Sequence, residues 1–300
     1  MSLKDKASLI FKPSRYKSGK AYSFRGSDVT VSRSSVGTRV NAEGKIEEVA
    51  SNMPRINYDS ANLDKCPVLL TEKDSANLIS NGMNLGSLSK TSVVTIDNQE
   101  SPDALPGKGI KLNLNAATVT PTYLSTSFAV TNGTKYTVSI YAKAGEFPSF
   151  NFHHYGSAGI KVNLQTGEVV HSAGDTTYGI KYVGNGWYRV WMTWTSTQTS
   201  SDSVYISPTR IPTDNYNATA STSGEGIYIY GLQAEPTVEK PTSLIKTTGS
   251  TATRADEIVT ASSPINGARG SFYFNLSQMN TTGYGTTVPT IALYKTNTTT

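Results

Sequence analysis

The sequence predicts an all-β protein: an antiparallel β-sandwich of the jelly-roll kind, preceded by an extended, irregular N-terminal anchoring arm. Three observations carry that expectation. Apolar and polar residues alternate with period two in several short runs, the pattern of a strand with one buried face. Tyrosine is abundant, 17 residues against 8 Phe and 3 Trp, and it favours pleated backbone. Turn signals rich in Gly and Asn separate the runs, and no segment has the period of an amphipathic helix.

Residues 1–80 read as the arm. Short apolar pieces, Leu9-Ile10-Phe11 and Val29-Thr30-Val31, are separated by Ser, Gly, Lys and Arg. Asn41-Ala42-Glu43-Gly44 is a turn signal, and Lys45–Val49 can return as a strand. Around Pro54 the chain reads as extended, because the residue before a proline is kept out of the helical region. Basic residues concentrate early, among them Lys12, Arg15, Lys17, Lys20, Arg25, Arg33 and Arg39. Such an arm is expected to bury little by itself. It should lie against a partner or a neighbouring subunit, and its charge suits an acidic protein surface.

Residues 81–237 carry the sandwich. Tyr136, Val138, Ile140 and Ala142 alternate with Thr137, Ser139, Tyr141 and Lys143. Val162–Val170 reads as a hairpin turning at Gln165-Thr166-Gly167. Gly184-Asn185-Gly186 is a turn, followed by a nine-residue strand from Trp187 to Thr195. Val204–Ile206 and Ile227–Leu232 complete the set. Pro236 and Pro241 then stop any ladder they enter, because neither has an N–H to donate. Residues 238–260 are Thr, Ser, Gly and Ala-rich, too poor in apolar groups for a core, and read as a linker. Residues 261–300 begin something new, with strands at Gly270–Leu276 and Ile291–Tyr294. Two strands are not stable alone, so they are expected to pair with other subunits or to open a further, lectin-like β domain.

Several function classes lose support. The net charge of +5 is mild for 300 residues, and Tyr16, Tyr22 and Phe24 lie among the basic residues without a nucleic-acid motif, so no nucleic-acid partner is expected. Cys66 is the single cysteine, which rules out an internal disulfide and suits assembly in a reducing cytoplasm. No apolar run can span a membrane, and Met1–Lys6 is not followed by the apolar segment of a signal peptide. His153 and His154 point to opposite faces of a strand, so they cannot share a metal, and His171 stands apart. No metal or cofactor is expected. Hydrolysis of a glycan needs two opposed carboxyl groups; Glu168, Asp175, Asp202 and Asp214 are available, but nothing pairs them. No catalytic residue is therefore assigned.

The strand at Trp187 is the candidate contact site. Alternation puts Tyr188, Val190, Met192 and Trp194 on the apolar face, and Trp187, Arg189 and Trp191 on the other. Indole faces stack on sugar C–H surfaces, and a guanidinium between them can hydrogen-bond hydroxyls. The opposing expectation is that the indoles pack under a second layer or a subunit interface.

Three segments together resemble a family of bacteriophage virion appendage proteins, the head fibres and tail fibres or spikes. They are Val31–Asp59, Cys66–Glu72 continuing to Asn77-Leu78-Ile79, and Gly226–Asp256 preceded by Tyr136–Gly145 and Gly186–Val190. The words fall in order over most of residues 30–260. The resemblance implies a carbohydrate-binding-like jelly roll, held to capsid, portal or tail proteins by the arm. It implies a homo-oligomer, with a trimer favoured, located in the virion after synthesis in the host cytoplasm. The candidate anchoring residues are Lys12, Arg15, Tyr16, Arg33, Arg39 and Arg55. A host-surface glycan is the second partner. A tail-spike depolymerase, a spacer without sugar binding, and a secreted carbohydrate-binding module are the competing expectations.

Overall fold

The computed structural model describes residues 10–17, 20–25, 29–115, 121–154, 159–174, 176–211 and 224–261, and every paired strand in them is antiparallel. The chain opens with eight short strands. They are β1 (Ile10–Lys17), β2 (Lys20–Arg25), β3 (Val29–Ser32), β4 (Gly37–Val40), β5 (Ile46–Val49), β6 (Arg55–Asn57), β7 (Val68–Leu70) and β8 (Ser75–Asn77). The turn between β4 and β5 is the expected one. The Asn41 side-chain oxygen accepts from the Glu43 and Lys45 amides, and Gly44 takes the positive φ that closes it.

Twelve strands follow: β9 (Ser89–Thr91), β10 (Val93–Gln99), β11 (Gly109–Leu114), β12 (Tyr123–Ala129), β13 (Lys135–Ala144) and β14 (Ser149–His154), then β15 (Gly159–Asn163), β16 (Glu168–Ala173), β17 (Thr177–Tyr182), β18 (Trp187–Thr195), β19 (Ser201–Thr209) and β20 (Gly226–Pro236). They form two six-stranded sheets. The first has the order β10-β11-β20-β13-β18-β17, and the second β16-β15-β14-β19-β12-β9. The chain changes sheet at most of its connections, the winding of a jelly roll. The predicted alternation fills the space between the sheets. Val138, Ile140, Val190, Met192, Ile227 and Ile229 from the first sheet meet Leu124, Phe150, Phe152, Val162 and Val204 from the second, all fully buried. Each contributes about 1.5–3 kcal/mol by leaving water.

Two last strands close the described chain, β21 (Ala252–Arg254) and β22 (Ile258–Ala261). Here the structure corrects the sequence-based division. β22 pairs with β3, and β21 with β8, so residues 238–260 are not a free linker and residues 29–79 are not an extended arm. Together they form a base on the outer face of the first sheet. Leu244, Ile245, Thr247 and Arg254 are buried, as are Ile46, Val49, Ile56 and Ile79. Polar side chains add to a small apolar cluster of Ile46, Tyr141, Trp187, Tyr230 and Leu244. The Asn77 amide donates to the Leu232 and Ile245 carbonyls at 3.1 and 3.0 Å, and its oxygen accepts from the Ile79 and Ala234 amides. Thr247 Oγ1 donates to the Ile79 carbonyl and accepts from the Gly82 amide. A Cβ at Gly82 would lie 2.3 Å from the Leu232 carbonyl oxygen, so only glycine lets the base approach the sheet there. Beyond the Ala261 backbone, the strands expected in residues 261–300 lie outside the described residues.

Candidate functional site

The Trp187 row occupies the face predicted for it, but that face belongs to the base. Tyr188, Val190, Met192 and Trp194 point into the sandwich. Trp187 is 2% exposed and packs with Ile46, Tyr141, Tyr230 and Leu244. The Arg189 guanidinium donates to the Thr242 carbonyl at 2.5 Å and to Ser139 Oγ at 3.1 Å, and lies 5.1 Å over the Tyr141 ring. Trp191 is half-buried across Gly179, where an added Cβ would lie 2.0 Å from the indole. The reading of Trp187 and Arg189 as a sugar platform is corrected: both are spent holding residues 242–244. A single strand shows which residues share a face, and the cover over that face comes from distant segments.

Arg33 and Arg55, assigned to the anchoring surface, also turn inward. Arg33 Nη1 donates to Glu257 at 2.5 Å, and its second nitrogen to the Val49 and Ala50 carbonyls. Arg55 pairs with both Glu257 and Glu72, and donates to Ser243 Oγ at 2.6 Å. Arg254 lies 3.5 Å from Glu72. The Arg33, Arg55 and Glu257 side chains are fully buried. Burial opposes the charge on Glu72, yet the Arg254 and Arg55 guanidiniums outweigh it and hold its pKa below the usual carboxylate range. Burial also opposes the charge on Arg55, and its Glu257 hydrogen bond with the Glu72 charge raises its pKa nonetheless. Arg39 pairs with Glu47 at 2.6 Å at the surface. Lys12, Arg15 and Tyr16 lie in β1, of which the backbone is described.

The outer face of the second sheet is different. Side chains of β14, β15, β16 and β19 line up across it in rows. His171, Lys161, Asn151 and Ser207 make one row; Gly159, His153, Tyr205 and Ser125 make the next. Ser149 and Thr209 stand opposite one another in a third, with their hydroxyls 2.9 Å apart. The His153 ring stacks on Tyr205 at 4.9 Å and 11°, and Tyr123 meets Tyr205 edge-on at 5.0 Å. Asn151 is 5% exposed and Ser207 0%, although both are polar residues on an outward face. Ser207 Oγ has no hydrogen-bond partner. Burial, helped by the adjacent His154, pushes the His153 imidazole down to about 4, so it is neutral near pH 7.

No family model matches the chain, and no curated protein matches it. The site therefore has to be read from its own chemistry. The two histidines do face apart, as expected: His154 lies under the sheet, stacked on Trp194 at 4.3 Å and 3.6 Å from Asp202. Asp202 in turn accepts from the Trp194 indole at 3.1 Å. Among the described residues no cluster of His, Cys, Asp and Glu could hold a metal, and no helix is long and apolar enough to cross a membrane. Glu168 stands exposed on β16; Asp175 and Asp214 lie outside the described residues. Cys66 is exposed. Hydroxyls, an amide and flat rings thus gather around Tyr205 and Ser207 on the second sheet, with Lys161 further along the row, and the uncharged set can hydrogen-bond and stack an uncharged ligand. The signal was present in the sequence. Ser149, Asn151 and His153 alternate with Phe150 and Phe152, which marks an outward polar face.

Proposed function

We propose that this chain is a structural component of a phage particle: a head or tail fibre or related appendage that docks through its base and presents the sandwich to the host surface. One observation supports this reading above the others. Both ends of the described chain gather in the base, where β3 pairs with β22 and β8 with β21. The sandwich is then a closed excursion, with β1, β2, β3 and β22 side by side in one four-stranded sheet of the base. That arrangement suits attachment on one side and display on the other. A homotrimer docked on capsid, portal or tail proteins would raise effective concentration, so that weak contacts to a host glycan add up. The reading assigns no catalytic step: Asp202 is engaged by Trp194, and Glu168 stands alone on an edge strand. In place of Arg33 and Arg55, the docking surface rests on Lys12, Arg15, Tyr16 and Arg39.

Immuno-gold microscopy of purified particles tests it. Antibodies against the edge hairpin of β15 and β16 should label intact particles at regular positions. Antibodies against residues 1–25 should label only disrupted ones, and light scattering of the free chain should give the mass of three copies. Absence of the chain from purified particles would end the proposal.

A further inference from the structure

We propose that the outer face of β14 and β19 is a binding site for a neutral pyranose glycan, stacked at the Tyr205–His153–Tyr123 cluster and hydrogen-bonded by Ser207. This rests on the reading of the sandwich as a host-facing module, and it places the contact on the sheet opposite to the Trp187 row.

The argument starts from Ser207. An outward residue on a solvated sheet would bond water, but Ser207 is fully buried and its hydroxyl has no partner. Such a group costs about 1–3 kcal/mol of desolvation; Arg189 Nε and Arg254 Nε share the lack on the base side, but Ser207 Oγ is the neutral hydroxyl that lies among outward aromatic rings. Leu124 opposes Ile206 and Ser125 opposes Tyr205, which brings Tyr123 across the ladder from Ser207. The Tyr123 ring leans along the diagonal to meet Tyr205. The orphan hydroxyl therefore sits beside two aromatic rings, with the buried Asn151 on its other side.

The spacing suits a sugar ring. Neighbouring strands lie about 4.8 Å apart, and residues two apart on a strand about 6.7 Å, so one pyranose spans from Tyr205 to Ser207. Its C–H face stacks on the phenol while an equatorial hydroxyl reaches Ser207 Oγ, a step that requires the groups covering Ser207 to move aside. Charge argues for a neutral ligand. The ladder neighbours of Ser207 and Tyr205 are uncharged, with Lys161 one strand further off beyond Asn151, and Arg33, Arg55, Arg189 and Arg254 are on the base side of the molecule. The His153 ring that backs Tyr205 carries no charge near pH 7. Gly159 opens the row next to it, because a Cβ there would lie 2.4 Å from that of His153.

The test uses the full chain and a panel of methyl glycosides of glucose, galactose, mannose and N-acetylglucosamine, read by saturation-transfer NMR and titration. We expect millimolar binding of at least one. Tyr205→Ala should weaken it about tenfold or more, the scale of one lost stacking contact of about 1.4 kcal/mol. Ser207→Ala should weaken it while raising the melting temperature, because it removes an unsatisfied group. Trp191→Ala should leave it unchanged. If Tyr205→Ala disturbs folding, Ser207→Ala carries the test alone, since its opposite effects on stability and binding cannot come from a structural role. The site is overturned if no neutral glycoside binds, if binding survives Ser207→Ala and Tyr205→Ala unchanged, or if methyl glucuronide binds better than every neutral sugar. Gold-labelled particles without glycoside binding would sink this site and leave the appendage reading standing. Glycoside binding by a chain missing from particles would do the reverse.

Discussion

The two outer faces of the sandwich have similar raw material and opposite fates. The first sheet shows two indoles, an arginine, tyrosines, threonines and a glutamate; the second shows tyrosines, histidines, serines and an asparagine. On the first, most polar groups find partners in the chain itself, with Arg189 Nε left over. Thr137 and Thr193 share a hydroxyl contact at 2.7 Å, Glu235 accepts from Ser75 and Thr242, and Gln233 accepts from the Ile245 amide. On the second, a buried serine waits without a partner beside three rings. Aromatic content does not separate a binding face from a packed one. A buried neutral hydroxyl left without a partner between the rings, as at Ser207, is what distinguishes the second face.

The largest effect is expected at the base. Glu257→Ala strips the shared carboxylate from Arg33 and Arg55 and leaves two buried guanidiniums short of a counter-charge. Removing one partner from a buried pair costs about 3–5 kcal/mol. Denaturant unfolding should show that loss, with the fluorescence of Trp187 shifting to the red as the base lifts from its indole. Arg39→Ala breaks only a surface pair and should cost under about 1 kcal/mol. Similar costs for the two variants would mean that the cluster does not hold the base. Next comes Trp187→Ala, which empties a site lined by Ile46, Tyr141, Tyr230 and Leu244. About 3 kcal/mol is expected, with glycoside binding preserved. Loss of binding without loss of stability would restore the Trp187 row as the sugar platform.

Trp187 and Arg33 show what a sequence can carry. The strand from Trp187 to Thr195 was legible to the residue, as was the hairpin at Gln165–Gly167, because period-two alternation and turn glycines are local. The sorting of Val190 and Met192 from Trp187 and Arg189 was equally local. The partner of Arg33 is Glu257, 224 positions away, and no local pattern announces it. The segment around Leu244 reads as a polar tether because its burial depends on Thr38, Asn77 and Gln233 bonding its backbone from elsewhere. Sequence gives the two faces of a strand; it does not say which of them a distant segment will cover.

A smaller effect should come from pH, and it isolates the second face. The His153 ring takes a proton near 6.5 when unfolded and only near about 4 when folded, burial against Tyr205 and the neighbouring His154 being the causes. Between those values the unfolded chain binds more protons, so this group lowers stability as pH falls through that window and adds no further loss below it. Glu72 and Asp202, held low in the folded state, contribute their losses below the ordinary carboxylate range. Burial raises the Glu235 carboxyl above its ordinary range, and that group works in the opposite sense over the interval from about 4.5 to 6.5, so the His153 contribution, about 2 kcal/mol after discounting for its partial exposure, is the part of the slope that His153→Phe removes. Melting curves across that interval should flatten in His153→Phe. A slope unchanged by that substitution would show that the ring is open to water, which would weaken the contrast between the faces.

The smallest effect is the most discriminating. Ser207→Ala deletes one oxygen from a site where it bonds nothing, so the folded state loses no hydrogen bond and sheds a desolvation cost. A gain of about 1 kcal/mol is expected, a rise of a few degrees in melting temperature for a chain this size. The matching change on the other face is Thr193→Val. It removes a hydroxyl that contacts Thr137 and donates to the Glu239 carbonyl at 3.2 Å, and it should lower stability by a similar amount. Two outward hydroxyls, on strands of one sandwich, should thus respond with opposite signs. If both substitutions destabilise, Ser207 has a partner in solution and the second face is as self-sufficient as the first. If both signs come out as expected, the Ser207 hydroxyl is unsatisfied in the folded chain, as a site that bonds a ligand there requires.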